Sequence, residues 1–258
     1  MHGTFIWHEL MTPDPAAAKA FYGPLLGWEP TDMEMEGFTY TTFAVPGFPS
    51  GVAGMMALTE DMKGQGIPPN WTGYIAVDDV DKTAAEYESN GGAIHRPPED
   101  IPGIGRFAVV ADPQGAVVCL MTPKMPDGET GSWPTPGSTG TVGWNELMAG
   151  DWEKVWDFYA GRFGWEKDMA VDMGDLGTYQ TFKLGERGIG GMMNKTPEMP
   201  MPYWGFFFIV PAIDSAIDRM KSLGGQLMFG PHEVPGGAWI AACQDPQGAY
   251  FNLTAAKK

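Results

Sequence analysis

Two glutamates stand two residues after a tryptophan in matching pentapeptides, Trp7-His8-Glu9-Leu10-Met11 and Trp144-Asn145-Glu146-Leu147-Met148. On an extended strand, residues two apart share a face, so each carboxyl group lies beside an indole. A carboxyl in apolar surroundings has a raised pKa and can accept a proton near neutral pH. The same group can instead accept hydrogen bonds and fix neighbouring strands; both roles fit the sequence. Tyr40 and Tyr179 recur in Tyr-x-x-Phe segments, where a hydroxyl can orient a ligand or reach solvent. Among eighteen methionines, Met55-Met56 and Met192-Met193 repeat as pairs. Methionine lines adaptable apolar sites, which makes Met55 and Met192 candidate ligand contacts beside Trp7 and Trp144.

Other chemistries find little support. Cys119 and Cys243 are the only cysteines, with no CxxC pair and no His at a motif distance to activate a thiolate. They read as buried thiols in a reducing cytoplasm. His2, His95 and His232 have no metal-ligand spacing, and no nucleophile elbow, phosphate loop or dinucleotide fingerprint occurs. The glycine-dense run 185–191 precedes no expected helix and reads as the entry to a strand. No cofactor is expected. A formal charge of −16, from 16 Lys plus Arg against 32 Asp plus Glu, repels nucleic acid and anionic lipid. The N-terminus lacks the regions of a signal peptide, and no run approaches membrane-span length. A small molecule is the expected partner.

The elements that must position these residues come from a duplication. Trp7 overlies Trp144 at an offset of 137 residues, and the offset carries Asp14 onto Asp151, Phe21-Tyr22 onto Phe158-Tyr159, Gly27-Trp28 onto Gly164-Trp165 and Gly54 onto Gly191. At an offset of 133, Trp71 meets Trp204 and Asp112-Pro113-Gln114-Gly115 meets Asp245-Pro246-Gln247-Gly248. The expected modules are 1–123 and 139–258, separated by a Pro/Gly-rich linker at 124–138. In the first module strands are expected at Thr4–Met11, Phe38–Val45, Gly51–Leu58, Trp71–Val77, near Ala93, at Phe107–Ala111 and at Ala116–Met121. Helices are expected at Asp14–Tyr22 and Asp81–Asn90. The unit is βαβββ, used twice per module. A single unit cannot close its own sheet, so the fold class is α+β, each module pairing two units into a curved eight-stranded half-barrel with a cleft. The tandem is expected to be a monomer, as a pseudo-dimer of modules, or a homodimer.

Three segments, Asp14 with Phe21-Tyr22 and Leu26-Gly27-Trp28, then Val77-Asp78-Asp79-Val80-Asp81, then Asp112-Pro113-Gln114-Gly115, resemble the vicinal oxygen chelate superfamily of glyoxalases, bleomycin-resistance proteins and extradiol dioxygenases. The doubled chain is similar to the tandem subgroup of CFP-30B-type antigens. The resemblance implies a divalent metal held by His, Glu or Gln at set positions. Here those positions fall on Trp7, Thr72, Cys119 and near Gly54, and in the second copy on Trp144, Gly205, Asn252 and near Gly191. No expected ligand is present, so no metal is expected, while Thr72, Cys119 and Asn252 remain candidate ligand contacts. His8 is one residue from a ligand position, where strand alternation turns it outward as a partly exposed histidine unless a β-bulge intervenes. The leading expectation is a small-molecule binder, or an enzyme using Glu9 or Glu146. The alternative is a metal-dependent glyoxalase-like lyase or dioxygenase using His8.

Overall fold

A computed structural model describes residues 1–35, 37–124 and 137–258. Most of the expected linker, 125–136, lies outside the described residues. The first repeat runs β1 (Phe5–Thr12), α1 (Pro15–Leu26), β2 (Glu29–Met35), β3 (Phe38–Val45), β4 (Phe48–Ala57), a short α2 (Glu60–Gly64), β5 (Asn70–Ala76), α3 (Val80–Ser89), β6 (Ala93–Ile101), β7 (Gly105–Ala111) and β8 (Val117–Pro123). The second runs β9 (Val142–Ala149), α4 (Trp152–Phe163), β10 (Glu166–Asp172), a 3-10 turn (Gly174–Leu176), β11 (Thr178–Leu184), β12 (Arg187–Asn194), β13 (Tyr203–Ile209), α5 (Ile213–Ser222), β14 (Gln226–Glu233), β15 (Trp239–Gln244) and β16 (Tyr250–Ala255).

Local chemistry sets the helix limits. The carboxylates of Asp14, Asp79 and Asp151 accept the backbone N–H of Ala17, Lys82 and Lys154 at 3.0, 3.0 and 3.2 Å, capping α1, α3 and α4. Gly27 and Gly164 end α1 and α4 in the left-handed conformation, at φ 71° and 68°. α1 therefore extends to Leu26, beyond the expected Tyr22, and buries Phe21, Tyr22, Leu25 and Leu26.

Each repeat forms one mixed eight-stranded sheet, ordered β2-β3-β4-β1-β5-β8-β7-β6 and β10-β11-β12-β9-β13-β16-β15-β14. β1 runs parallel to β4, β5 to β8, β9 to β12 and β13 to β16, and the hairpin pairs β2-β3, β3-β4, β6-β7, β7-β8, β10-β11, β11-β12, β14-β15 and β15-β16 are antiparallel. This is the α+β, paired-βαβββ class read from the sequence. The expected βαβββ unit calls for β2, but its range is not among those expected: all seven of its residues are exposed at the sheet edge, so it carries no inward apolar stripe.

The elements gather into two compact units that cut across the repeats. One holds α3 and β6–β8 with α4 and β10–β12; the other holds α1 and β2–β4 with α5 and β14–β16. The strands β1, β5, β9 and β13 divide between them. Each unit has an aromatic core built around a buried relay. In the unit with α1, Trp71 Nε1 donates to Tyr22 Oη at 3.0 Å and Tyr22 Oη donates to Asp245 Oδ2 at 3.0 Å, among Phe21, Trp28, Phe208 and Phe251. In the unit with α4, Trp204 Nε1 donates to Tyr159 Oη at 3.3 Å and Tyr159 Oη to Asp112 Oδ2 at 2.9 Å, among Phe158, Phe163 and Trp165. The other oxygen of each aspartate accepts two backbone N–H groups of its own turn, Gln114 and Ala116 or Gln247 and Ala249.

Phenylalanine at position 22 or 159 removes one donor from a buried carboxylate. Each substitution is expected to cost about 1–3 kcal/mol in urea unfolding. Tyr87, whose buried hydroxyl has no hydrogen-bond partner among the described residues, serves as the control: Tyr87→Phe should leave stability unchanged or raise it. Equal losses at all three positions would contradict the assignment.

Candidate functional site

Alternation along β1 places Trp7, Glu9 and Met11 on one face and His8, Leu10 and Thr12 on the other. On the first face a hydrogen-bonded chain forms: Trp7 Nε1 donates to Tyr40 Oη at 3.0 Å, and Tyr40 Oη donates to Glu9 Oε2 at 2.8 Å. The second repeat rebuilds it. Trp144 Nε1 donates to Tyr179 Oη at 2.7 Å, and Tyr179 hydrogen-bonds Glu146. The structure thus joins six of the sequence candidates into two triads, each within one unit. The tyrosine is 31 residues from the carboxylate it bonds in the first copy, a partnership that only the sheet register creates.

Two glycines make room for the triads. A Cβ at Gly54 would lie 1.9 Å from Tyr40 Oη and 2.8 Å from Trp7 Nε1, and one at Gly191 would lie 2.4 Å from the Tyr179 ring. Gly54 is the register partner of Glu9, and Gly191 of Glu146. At both positions the tyrosine fills the space a side chain would take. The recurrence of Gly54 and Gly191 ahead of their methionine pairs was the sequence signal for this.

Burial shapes the electrostatics. Desolvation pushes the Glu146 carboxyl up from 4.5 to about 7, opposed by the Tyr179 hydrogen bond, which favours the ionised form. Tyr179 is itself pushed well above its usual value, first by burial and then by the charge of Glu146. Near neutral pH the acid is divided between its two protonation states, which suits exchange of a proton with a bound molecule.

Register separates the methionines of each pair. Met55 pairs with Leu10 and Thr41, and Met192 with Leu147, on the faces opposite the glutamates; both are fully buried. Their neighbours hold the triad side: Met56 pairs with Met11 and Tyr40, and Met193 with Met148. Thr72 and Cys119 are buried, and Cys119 pairs with Tyr74 and Val109. Two strand steps from Thr72, Tyr74 lies 6.3 Å from Phe107, an apolar pair the sequence reading did not single out. Asn252 pairs with Phe207 and Ala242 and is half-buried.

His8 departs from expectation. It is not a partly exposed strand residue: it is buried, with its ring edge-on to Phe206 at a centroid distance of 4.8 Å. The β1–β4 register runs unbroken from Glu9 to Thr12, with no bulge in that stretch to turn the neighbouring residues. The metal implied by the family resemblance can be tested on the donor set. Trp7, Thr72, Cys119 and Gly54 supply one thiol and one hydroxyl; Trp144, Gly205, Asn252 and Gly191 supply one amide. Among the described residues no three His, Cys, Asp or Glu side chains gather to hold a metal ion. These residues do not fit the group.

Paired βαβββ units in open mixed sheets define the class of fold. The sequence model of the Glyoxalase/Bleomycin resistance protein/Dioxygenase superfamily matches residues 4–120 and again 141–253, and the chain belongs to this superfamily. The glyoxylase-named CFP32 of Mycobacterium tuberculosis is 33% identical over 258 residues, covering 97% of this chain and 94% of that protein. The anthracycline biosynthesis protein DnrV of Streptomyces peucetius is 32% identical over 266 residues, covering 97% and 92%. Among solved structures, the Mn(II)-bound glyoxalase from Novosphingobium aromaticivorans shares the fold with a TM-score of 0.68 at 16% identity, covering 100% of this chain and 83% of that one. No helix among the described residues is long and apolar enough to cross a membrane.

The raised Glu146 value has a thermodynamic consequence. Between about pH 4.5 and 7 the folded chain retains a proton that the unfolded chain has lost, so stability falls as pH rises through that window. The fall is at most roughly 3 kcal/mol. In Glu146→Gln this component should vanish, and the pH dependence of unfolding should flatten between pH 5 and 7.5. Parallel curves for the two proteins would contradict the placement of the carboxyl.

Proposed function

We propose that the protein binds a small apolar or aromatic molecule at its Trp-Tyr-Glu faces, that it does so without a metal at the superfamily's ligand positions, and that Glu146 exchanges a proton with the bound molecule. One observation carries this reading: a Trp-Tyr-Glu chain, with a carboxyl titrating near 7, stands where the family's ligand positions fall on Trp144, Gly205, Asn252 and Gly191 in place of His, Glu or Gln. Tyr179, held by Trp144, orients the carboxyl, and the apolar surroundings keep its proton available at neutral pH. The relative named for anthracycline biosynthesis supports an aromatic molecule as the first class to test. The charge of −16 favours a small ligand over a nucleic acid.

A metal-dependent lyase or dioxygenase using His8 is the second reading. It is favoured by the glyoxylase name of CFP32 and opposed by the burial of His8 against Phe206, on the far face from Glu9.

Thermal unfolding of chelator-treated protein against a panel of hydroxylated polycyclic aromatics tests the first reading. A ligand at a hundredfold excess over its Kd adds about 2.7 kcal/mol to stability, a rise of a few degrees in Tm for a chain of this size. For such a binder, the proton uptake or release measured by calorimetry in buffers of different ionisation enthalpy should be lost in Glu146→Gln. A panel without a binder, or proton exchange unaltered in the variant, would contradict the proposal.

A further inference from the structure

The two buried relays use the same donor set, joining Tyr22 to Asp245 and Tyr159 to Asp112. Exchanged partners, Tyr22 with Asp112 or Tyr159 with Asp245, would satisfy the same groups. A repeat would make that exchange with its own kind, the first repeat of one copy against the first repeat of another. Misassembly of this sort is a characteristic failure of repeat proteins. The relays are alike in both units, so the choice of the second repeat as partner of the first rests on residues that differ.

The helix pairs packed inside the two units supply that difference. In one unit, Arg162 of α4 donates through Nη2 to Glu86 O, in the last turn of α3, at 3.0 Å. In the other, Arg219 of α5 donates through Nη1 to Pro24 O, in the last turn of α1, at 2.9 Å. Each bond serves a helix-end carbonyl and sets a cation at the negative end of a helix dipole. The two arginines come from opposite members of the pair. At the offset of 137, Arg162 stands where the first repeat has the buried Leu25; at the offset of 133, Arg219 stands where it has Glu86. Each native helix pair therefore carries one arginine at this contact. Pairing of like repeats would give α1 with α3 none, and α4 with α5 two that face each other.

Stability alone does not account for Arg162. Its guanidinium lies 3.9 Å from the ring centroid of Phe158 and 5.6 Å from that of Tyr87, and its Nε–H is buried without a hydrogen-bond partner among the described residues. An unpartnered buried donor is unfavourable, and a leucine such as Leu25 carries none. A polar group that weakens the correct pairing a little and the wrong ones more is a means of specifying a partner. We propose that Arg162 and Arg219 choose the partner of each half-repeat: one arginine per helix pair directs the first repeat onto the second repeat of its own chain and disfavours pairing of like repeats from two copies.

Refolding of the full chain from urea over a range of protein concentrations, followed by size-exclusion chromatography with light scattering, tests this. Arg162→Leu gives the second repeat a leucine on α4 and an arginine on α5, the combination that α1 and α5 use, so two second repeats become compatible. The fraction recovered as particles larger than the wild type should rise at least fivefold and grow with concentration. Arg162→Lys, which keeps the charge, should refold as the wild type does. Arg162→Leu/Glu86→Arg returns one arginine to the α3–α4 contact from the other side, so its urea midpoint should exceed that of either single variant while the larger particles persist. Wild-type particle sizes in Arg162→Leu, or a double variant no more stable than the single variants, would overturn the proposal. If Arg162→Leu does not fold, the double variant decides: a folded chain supports the reciprocal contact, and a chain that stays unfolded contradicts it.

Discussion

A tyrosine hydroxyl donated to a buried aspartate holds each half of this molecule to a partner from far along the chain. Tyr22 reaches Asp245 across 223 residues, and Tyr159 reaches Asp112. Each aspartate also receives two N–H groups of its own turn, so three donors gather on one carboxyl group in the aromatic core. Such a buried acceptor is costly to leave unsatisfied, and its demand makes the first half of one repeat pack with the second half of the other. The same pairing holds the strands that bear the functional residues. Trp28 Nε1 donates to Gly140 O at 2.7 Å, just before β9, and Trp165 Nε1 donates to Gly3 O at 2.8 Å, just before β1. Thus the Gly-Trp step that ends a helix also anchors the backbone leading into a Trp-x-Glu strand.

Once β1 and β9 are fixed, the site follows from alternation. Trp and Glu share a face, the next-but-one strand brings a tyrosine to them, and a glycine in register on the strand between leaves space for its hydroxyl. A superfamily whose resemblance implies side-chain metal ligands here presents a tyrosine-bound carboxyl instead, at two places and with matching partners. A carboxylic acid in apolar surroundings holds its proton to higher pH, and that property connects the packing of the sheet to the proposed chemistry.

The repeat made the fold legible because it survived in residues with strict structural duties: helix-capping Asp14 and Asp151, helix-ending Gly27 and Gly164, and the turn aspartates 112 and 245. The range of edge strand β2 escaped notice because its methionines face solvent and Asp32 and Glu34 bond to Lys19, Thr39 and Thr41, leaving no inward stripe to read. The shared face of Trp7 and Glu9 was legible from a two-residue spacing. Assignment of Met55 rather than Met56 was not, since in a Met-Met pair one step of register decides which side chain faces the glutamate. His8 escaped for a related reason. Alternation turned it away from the Trp7 face, but what covers that other face depends on Phe206, nearly two hundred residues away in sequence. The grouping of half-repeats into units is likewise invisible to an offset, which is the same whichever copy supplies the partner.

The central claim is that the Trp-Tyr-Glu triads, rather than a protein-held metal, form the working centres of this chain. Its most direct test is the metal content, by inductively coupled plasma mass spectrometry, of untagged protein purified without chelator. The account predicts a negligible amount of transition metal per chain. About one equivalent, retained through dialysis, would contradict it and return the chemistry to a metal centre.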